Sequence, residues 1–406
     1  MIPEGWKTYR LGEIAEIQNG FAFKSVDFSN KGIPIIKIKN IIPPNISLNE
    51  SDYYEGEITN KLKPYLITRD DVLISMTGSH LNQISSAVGK VGKYRYDFPA
   101  LLNQRVGKLF SQDRTKLDEE ILYYFISRPE TQIELVSSAG GSANQANISP
   151  DQIKQLEITI PIDINEQSRI ASILTSLDDK IELNLRMNKT LEAIAQAIFK
   201  EWFVDFRFPG FDGELVDGLP KGWRRGKLGD GFKLVMGQSP PGESYNEIGN
   251  GTAFYQGRTD FGFRFPENRM YTTVPMRMAK KLDTLVSVRA PVGDINMAME
   301  ECCIGRGLSA IRHSSGAYSY TYYGMKHIEN IFKGFEGEGT VFGSINKTNF
   351  ENISMILPDS IVVGKFEKFV NPIDEKILNN SCEIKTLTEI RDSLLPKLMT
   401  GKIKVW

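Results

Sequence analysis

Six landmarks that open this chain open it again in the middle. Pro3, Gly5, Trp6, Leu11, Gly12 and Gly20 each stand 217 positions before Pro220, Gly222, Trp223, Leu228, Gly229 and Gly237. A true repeat carries its later landmarks in the same order, with offsets drifting as loops gain or lose residues. "DVLIS" (Asp71 to Ser75) is echoed by "DTLVS" (Asp283 to Ser287), each an alternating strand entered from an acidic turn. "QRVGKLF" around Arg105 is echoed by "GRGLSAI" around Arg306. The helical "ILYYFISRPETQIELVSSAGG", stopped by Gly140 and Gly141, has its counterpart in "YTYYGMKHIENIFKG", stopped by Gly334. "NISPDQIKQLEITIP", ending at Pro161, matches "SINKTNFENISMILP", ending at Pro358.

After each of these prolines the period changes from strand to helix. Ile170, Leu174, Leu177, Ile181, Asn184, Asn188, Leu191, Ala195, Ile198 and Trp202 follow a 4-3 spacing, which is a heptad seam. The second copy, 196 residues on, gives Phe366, Val370, Ile373, Ile377, Asn380, Ile384, Leu387, Arg391, Leu394 and Leu398. Arg391 departs from the pattern, because the first seam has Ala195 there. Asp163 or Asn165 can cap the first helix and Asp359 or Ser360 the second. Pro209 lies just past the first, and Pro396 is expected to kink or end the second.

The expected fold is therefore α+β: two pseudo-repeated mixed α/β units separated by two long coiled-coil helices. The segments are 1–161, 162–206, 207–358 and 359–406. A helix of ~38 residues is a rod of ~57 Å. The second unit leaves the end of one helix and rejoins the start of the next, so parallel helices would force it to bridge the whole rod. Antiparallel pairing removes that demand and gives a pseudo-twofold, circular organisation. Asn184 and Asn380 occupy equivalent seam positions near the helix midpoints, so they are expected to face each other and fix register. The alternative is two solvated asparagines on a helix face.

Bulk properties narrow the function. Lys and Arg total 49 against 50 Asp and Glu, so no overall basic field advertises a nucleic acid or a membrane, and any such patch is local. No apolar run approaches the ~18 residues that span a bilayer, and the three cysteines make neither a disulfide framework nor a zinc site. A reducing cytoplasm is the expected compartment.

Catalytic constellations are missing. His80, His313 and His327 are scattered, with no metal-ligand spacing. "GFEGEGTVFG" (Gly334 to Gly343) follows a helix and opens none, the opposite of a nucleotide-binding loop, and reads as a mobile loop. Cys302 and Cys303 lie in an apolar strand without a nearby base and read as buried, inert thiols. No Walker A loop, nucleophile elbow or amino-methyltransferase tetrad is present. The expectation is a chain with no catalytic residue, no metal and no cofactor of its own.

Recognition chemistry does accumulate on loops. In the first unit the candidates for DNA contact are Lys37, Lys39 and Asn40, then His80, Asn82 and Gln83, then Lys90, Lys93 and Arg95. Gln104 and Arg105 follow, with Asn144 and Gln145 on a Gly-rich turn. In the second unit they are Gln238, Ser239 and Tyr245, then Gln256, Arg258 and Arg264, then Arg289, Asn296, Arg306 and Lys347. Arg and Lys suit guanine edges and phosphates; Asn and Gln suit adenine.

Taken with the paired "PEGWK" and "PKGWR" starts, the helix "SLDDKIELNLRMNKTLEAIAQAIFKEWFVDF" and the terminal "LLPKLMTGKIKV", the whole chain resembles the specificity subunit of type I restriction-modification systems. The resemblance implies two target recognition domains, each reading half of a split double-stranded DNA sequence, and two helices that act as a ruler. It implies docking of two methyltransferase subunits, which bind S-adenosylmethionine and methylate adenine N6, with restriction subunits completing the complex. The family's recognition residues vary with target, so none is carried over. A specificity component of a type II (IIB/IIG-like) system is the nearest alternative. A self-contained nucleic-acid enzyme and a protein-binding scaffold are the more distant ones.

Overall fold

The computed structural model describes residues 2–80, 88–142, 145–335 and 343–405. The chain divides into two compact units, Met1–Ile181 with Lys385–Trp406, and Glu182–Ile384. Both divisions fall inside long helices, so neither unit stops where the strand-to-helix change in the sequence suggests. Each consists of one globular part together with a segment of both helices.

The principal strands of the first unit are β1 (Trp6–Arg10), β2 (Ala15–Asn19), β3 (Ile33–Ile36), β4 (Val72–Ser75), β5 (Val91–Lys93), β6 (Ala100–Leu102), β7 (Val106–Ser111) and β8 (Glu157–Pro161), with helix α1 (Glu119–Ile126) after β7. β1 pairs antiparallel with β8, Trp6 opposite Pro161. A sheet runs in the order β2-β7-β4-β5, and β3 lies parallel to β6. The long helix α2 (Ile164–Phe203) follows. The acidic turn before β4 is held by Asp71, which accepts the amide of Thr68 at 2.8 Å and pairs with Lys108 at 2.7 Å.

The second unit repeats this plan strand for strand: β9 (Arg224–Lys227), β10 (Phe232–Met236), β11 (Thr252–Tyr255), β12 (Thr284–Ser287), β13 (Ile295–Met297), β14 (Cys302–Ile304), β15 (Leu308–His313) and β16 (Ser354–Leu357), with helix α3 (Tyr318–His327). β9 pairs antiparallel with β16, the sheet order is β10-β15-β12-β13, and β11 is parallel to β14. Asp283 accepts the amide of Lys280 at 2.7 Å and pairs with Arg312 at 2.5 Å, as Asp71 does with Thr68 and Lys108. The second long helix, α4 (Ser360–Leu398), closes the chain.

Asp163 and Asp359 cap the long helices by accepting the amides of Asn165 and Ile361 at 3.0 and 2.6 Å. Pro396 neither ends nor precedes the end of α4 as a break; the helix continues to Leu398. Every residue of both heptad series is buried or half-buried. In the first unit Ile170 and Leu174 of α2 join the same core as Leu398, the last residue of α4, and Met399 just past it; in the second, Trp202 packs edge-on against Phe366 at 5.7 Å. Late residues of one helix thus meet early residues of the other, and within each unit the helical segments run antiparallel. Burying each such side chain contributes about 1.5–3 kcal/mol.

The asparagine pairing differs from the expectation. Asn380 donates to Asn188 at 2.8 Å, whereas Asn184 donates to Glu383 at 2.9 Å. The reason is a small shift of register. From Asn188–Asn380 to Trp202–Phe366 the helices advance 14 residues in opposite directions, so residues 196 apart come together at Arg186 and Cys382. Asn184 and Asn380 each lie two residues from that crossing and miss one another.

The repeated tryptophans mark the helix ends. Trp6 donates to Glu166 in the first turn of α2 at 3.3 Å and lies beside Gly401, just past α4. Trp223 stacks on Phe208 and packs on Phe203, just at and past the end of α2.

Candidate nucleic-acid interface

One end of each globular part is built around a glycine that must approach another strand's backbone. A Cβ on Gly20 would lie 2.1 Å from the carbonyl oxygen of Asn103, and a Cβ on Gly237 would lie 2.1 Å from that of Gly305. No side chain fits at either position. The backbone bonds around the two crossings correspond. Gly20 donates to Val106 and Phe21 to Leu102, as Gly237 donates to Leu308 and Gln238 to Ile304. Asn103 donates to Ile36, as Gly305 does to Tyr255.

These bonds shift the sequence comparison by one residue. The amide of Met76 bonds the carbonyl of Arg105 at 2.9 Å, and the amide of Val288 bonds that of Gly307 at 2.8 Å. Arg105 therefore corresponds to Gly307, and Gln104 to Arg306. The two arginines are neighbours on the same turn and not strict equivalents.

What this turn presents is exposed hydrogen-bonding chemistry. Gln104 and Arg105 are exposed in the first unit, with the exposed Gln145 on a strand paired to Thr77–Gly78 and the half-buried His80 beyond it. In the second unit Gln238, Gln256 and Arg306 are exposed and drawn together by the same bonds. Gly307 donates to the carbonyl of Gln256 at 3.1 Å, and the Arg306 amide donates to the Ser239 hydroxyl at 3.4 Å. Arg289, also exposed and two residues past β12, forms an isolated backbone β-bridge with Ser344. Arg277, exposed with its carbonyl bonded to the Ile304 amide at 2.9 Å, belongs to the same edge. Nothing in its local sequence marks it.

Other candidates serve the structure. Asn40 is fully buried, accepting the Lys37 amide and donating to Ser47 and Ser51. Asn296 is 1% exposed and donates to the carbonyl of Gly262 at 2.9 Å. Lys93, also 1% exposed, pairs with Glu120 and lies over the ring of Tyr123; burial lowers its pKa, with Glu120 opposing. Arg264 is buried between the helices and is taken up below. None of these four reaches solvent to touch DNA. Lys37 pairs with Asp52 at 2.8 Å, Lys39 with the same carboxylate at 3.6 Å, Arg95 with Asp70 at 2.5 Å, and Arg258 with Asp294. Tyr245 donates its hydroxyl to the carbonyl of Pro240, and Lys347 pairs with Glu351 one helical turn on. Lys90 lines a recess of about 500 Å³ beside Tyr124, Asp178 and Arg391. Asn82, Gln83 and Asn144, and most of the Gly-rich segment after Gly334, lie outside the described residues.

Among the described residues no three His, Cys, Asp or Glu side chains form a metal-binding group. No described helix is long and apolar enough to cross a membrane. Cys302 and Cys303 are buried, and burial raises the Cys302 thiol pKa.

Residues 3–193 match the type I restriction modification DNA specificity domain. Over the whole chain the sequence is 30% identical to the putative type I restriction enzyme MjaX specificity subunit of Methanocaldococcus jannaschii, covering 95% of that protein. The chain belongs to the type I restriction-modification specificity subunits. A second specificity subunit, that of the HindI enzyme of Haemophilus influenzae, is 28% identical over 71% of this chain and 78% of its own length. The fold is that of the family as well. The type I S subunit from M. genitalium superposes with a TM-score of 0.64 at 19% identity, over 97% of this chain and 96% of the other.

Proposed function

We propose that this chain is the sequence-reading subunit of a type I restriction-modification complex, in which each globular part reads one half of a bipartite duplex target. The observation that carries the reading is the repeated glycine crossing, which presents Gln104 and Arg105 in one unit and Gln238, Gln256 and Arg306 in the other. Arginine can bond guanine O6 and N7 together, and glutamine can do the same to adenine N6 and N7.

Methyl transfer is assigned to partners. Two adenine-N6 methyltransferase subunits dock on the long helices, hold S-adenosylmethionine and act on an adenine taken out of the stack. Restriction subunits complete the assembly, in the cytoplasm. A net charge of −1 fits a chain whose DNA affinity comes largely from partners closing around the duplex, since phosphate neutralisation needs an excess of Lys and Arg. The isolated chain then binds DNA weakly and with strong salt dependence.

Co-expression with its methyltransferase partner, followed by genome-wide mapping of N6-methyladenine, tests this. The expected result is one motif with two specified halves and an unspecified spacer, lost when this chain is deleted. Methylation that persists unchanged without the chain rules the proposal out.

A further inference from the structure

The largest fully buried side chain among the described residues is an arginine of the second globular part, Arg264, 1% exposed. Its guanidinium bonds Asp374 of α4 at 2.7 Å and the Tyr323 hydroxyl of α3 at 3.0 Å, and reaches Glu192 of α2 at 3.5 Å. It lies over the ring of Tyr322 at 3.6 Å. Burial works against its charge, but Tyr322, Asp374, Tyr323 and Glu192 more than offset this, and its pKa is raised. One side chain of the globular part therefore touches both helical segments of its unit.

The first unit builds the same joint with a different cation. Tyr124 donates to Asp178 at 2.7 Å, as Tyr323 donates to Asp374 at 2.7 Å. Asp178 and Asp374 are 196 residues apart, equivalent positions of the two long helices. In the first unit the cation on this aspartate is Arg391, at 2.8 Å, from the opposing helix. The position equivalent to Arg391 is Ala195, fully buried. The small residue leaves the place open, and Arg264 fills it from the globular part. This accounts for the departure of Arg391 from the seam pattern.

Arg264 also terminates the segment that starts at the recognition turn. Gln256 is bonded to Gly307 in the turn, Gly262 is held by Asn296, and the carbonyl of Arg264 accepts the amide of Met297 at 2.9 Å. We propose that Arg264 is a positioning residue for specificity: it ties the Gln256–Arg264 segment to the helices and so fixes where the second recognition turn meets its bases. The inference rests on the reading of the chain as a bipartite DNA reader.

The test uses the complete methyltransferase complex, with duplexes carrying the mapped site and single-base variants of each half. Arg264→Met is expected to cut discrimination at one half-site by about 10-fold, a large share of the discrimination one base pair affords, while the other half-site keeps wild-type ratios. Tyr323→Phe, which removes only a hydroxyl, is expected to act in the same direction and less strongly. Wild-type ratios at both halves overturn the inference, as does a rate loss that is equal on every duplex and tracks a lower melting temperature. If Arg264→Met does not fold, Tyr323→Phe alone decides between these results. A wild-type complex with no bipartite site would instead refute the underlying reading.

Discussion

Asn380 donates through Nδ2 to Oδ1 of Asn188 at 2.8 Å, with both side chains 1% exposed in the helical seam. Asn188 donates onward to Ser381 at 3.3 Å. This one amide-to-amide bond, which leaves Asn380 Oδ1 buried without a hydrogen-bond partner, favours a register that apolar residues would leave free to slip by a heptad.

Replacing one of the pair strands the other. Asn380→Leu or Asn188→Leu should each cost about 1–3 kcal/mol, the penalty for a buried polar group without a partner, while the double variant should come close to wild type or exceed it. A double-mutant cycle in urea measures the coupling. Strictly additive losses would mean that the two amides do not act as a unit.

At the two glycine crossings the constraint is steric. Gly20→Ala and Gly237→Ala each place a methyl group 2.1 Å from a carbonyl oxygen, so two strands must separate. Overpacking of this kind costs about 1–3 kcal/mol or more. Each variant should lower the melting temperature by several degrees (~2–4 °C per kcal/mol). A melting curve unchanged by either substitution would show that the crossing yields easily.

Acid should weaken the second unit. Burial lowers the pKa of His313 and of His327 from the ordinary value of 6.5. The unfolded chain therefore takes up protons first as the pH drops, and the contribution to stability is complete above about 6.5 and is lost as pH falls toward the folded-state values. His313→Gln with His327→Gln should flatten the fall in melting temperature between about pH 7.5 and 5.5. Parallel curves for the variant and the wild-type chain would remove the histidines from the account.

The helices were the most legible part of the sequence because a heptad seam repeats its own evidence. Ten positions in each helix read as seam, and all of them are buried or half-buried. Single polar residues on loops carry no such redundancy. Arg264 and Arg306 look alike in sequence, yet one reaches Asp374, 110 residues away, and the other faces solvent. The partner that decides between them is supplied by tertiary packing. Asn184 and Asn380 show the same limit on a smaller scale: equivalence under the repeat was visible, but the exact crossing point of two helices depends on how their side chains interlock. The glycine crossings were half visible, since Gly20 and Gly237 stood out as repeat landmarks without showing what approached them.

The central claim is that the two turns read different halves of one target, and methylome mapping of two single variants tests it most directly. Arg105→Ala should relax base preference in one half of the motif and Arg306→Ala in the other, each by about 1–3 kcal/mol at the affected base pair. Relaxation of the same half by both substitutions, or an unchanged motif in both, would contradict it.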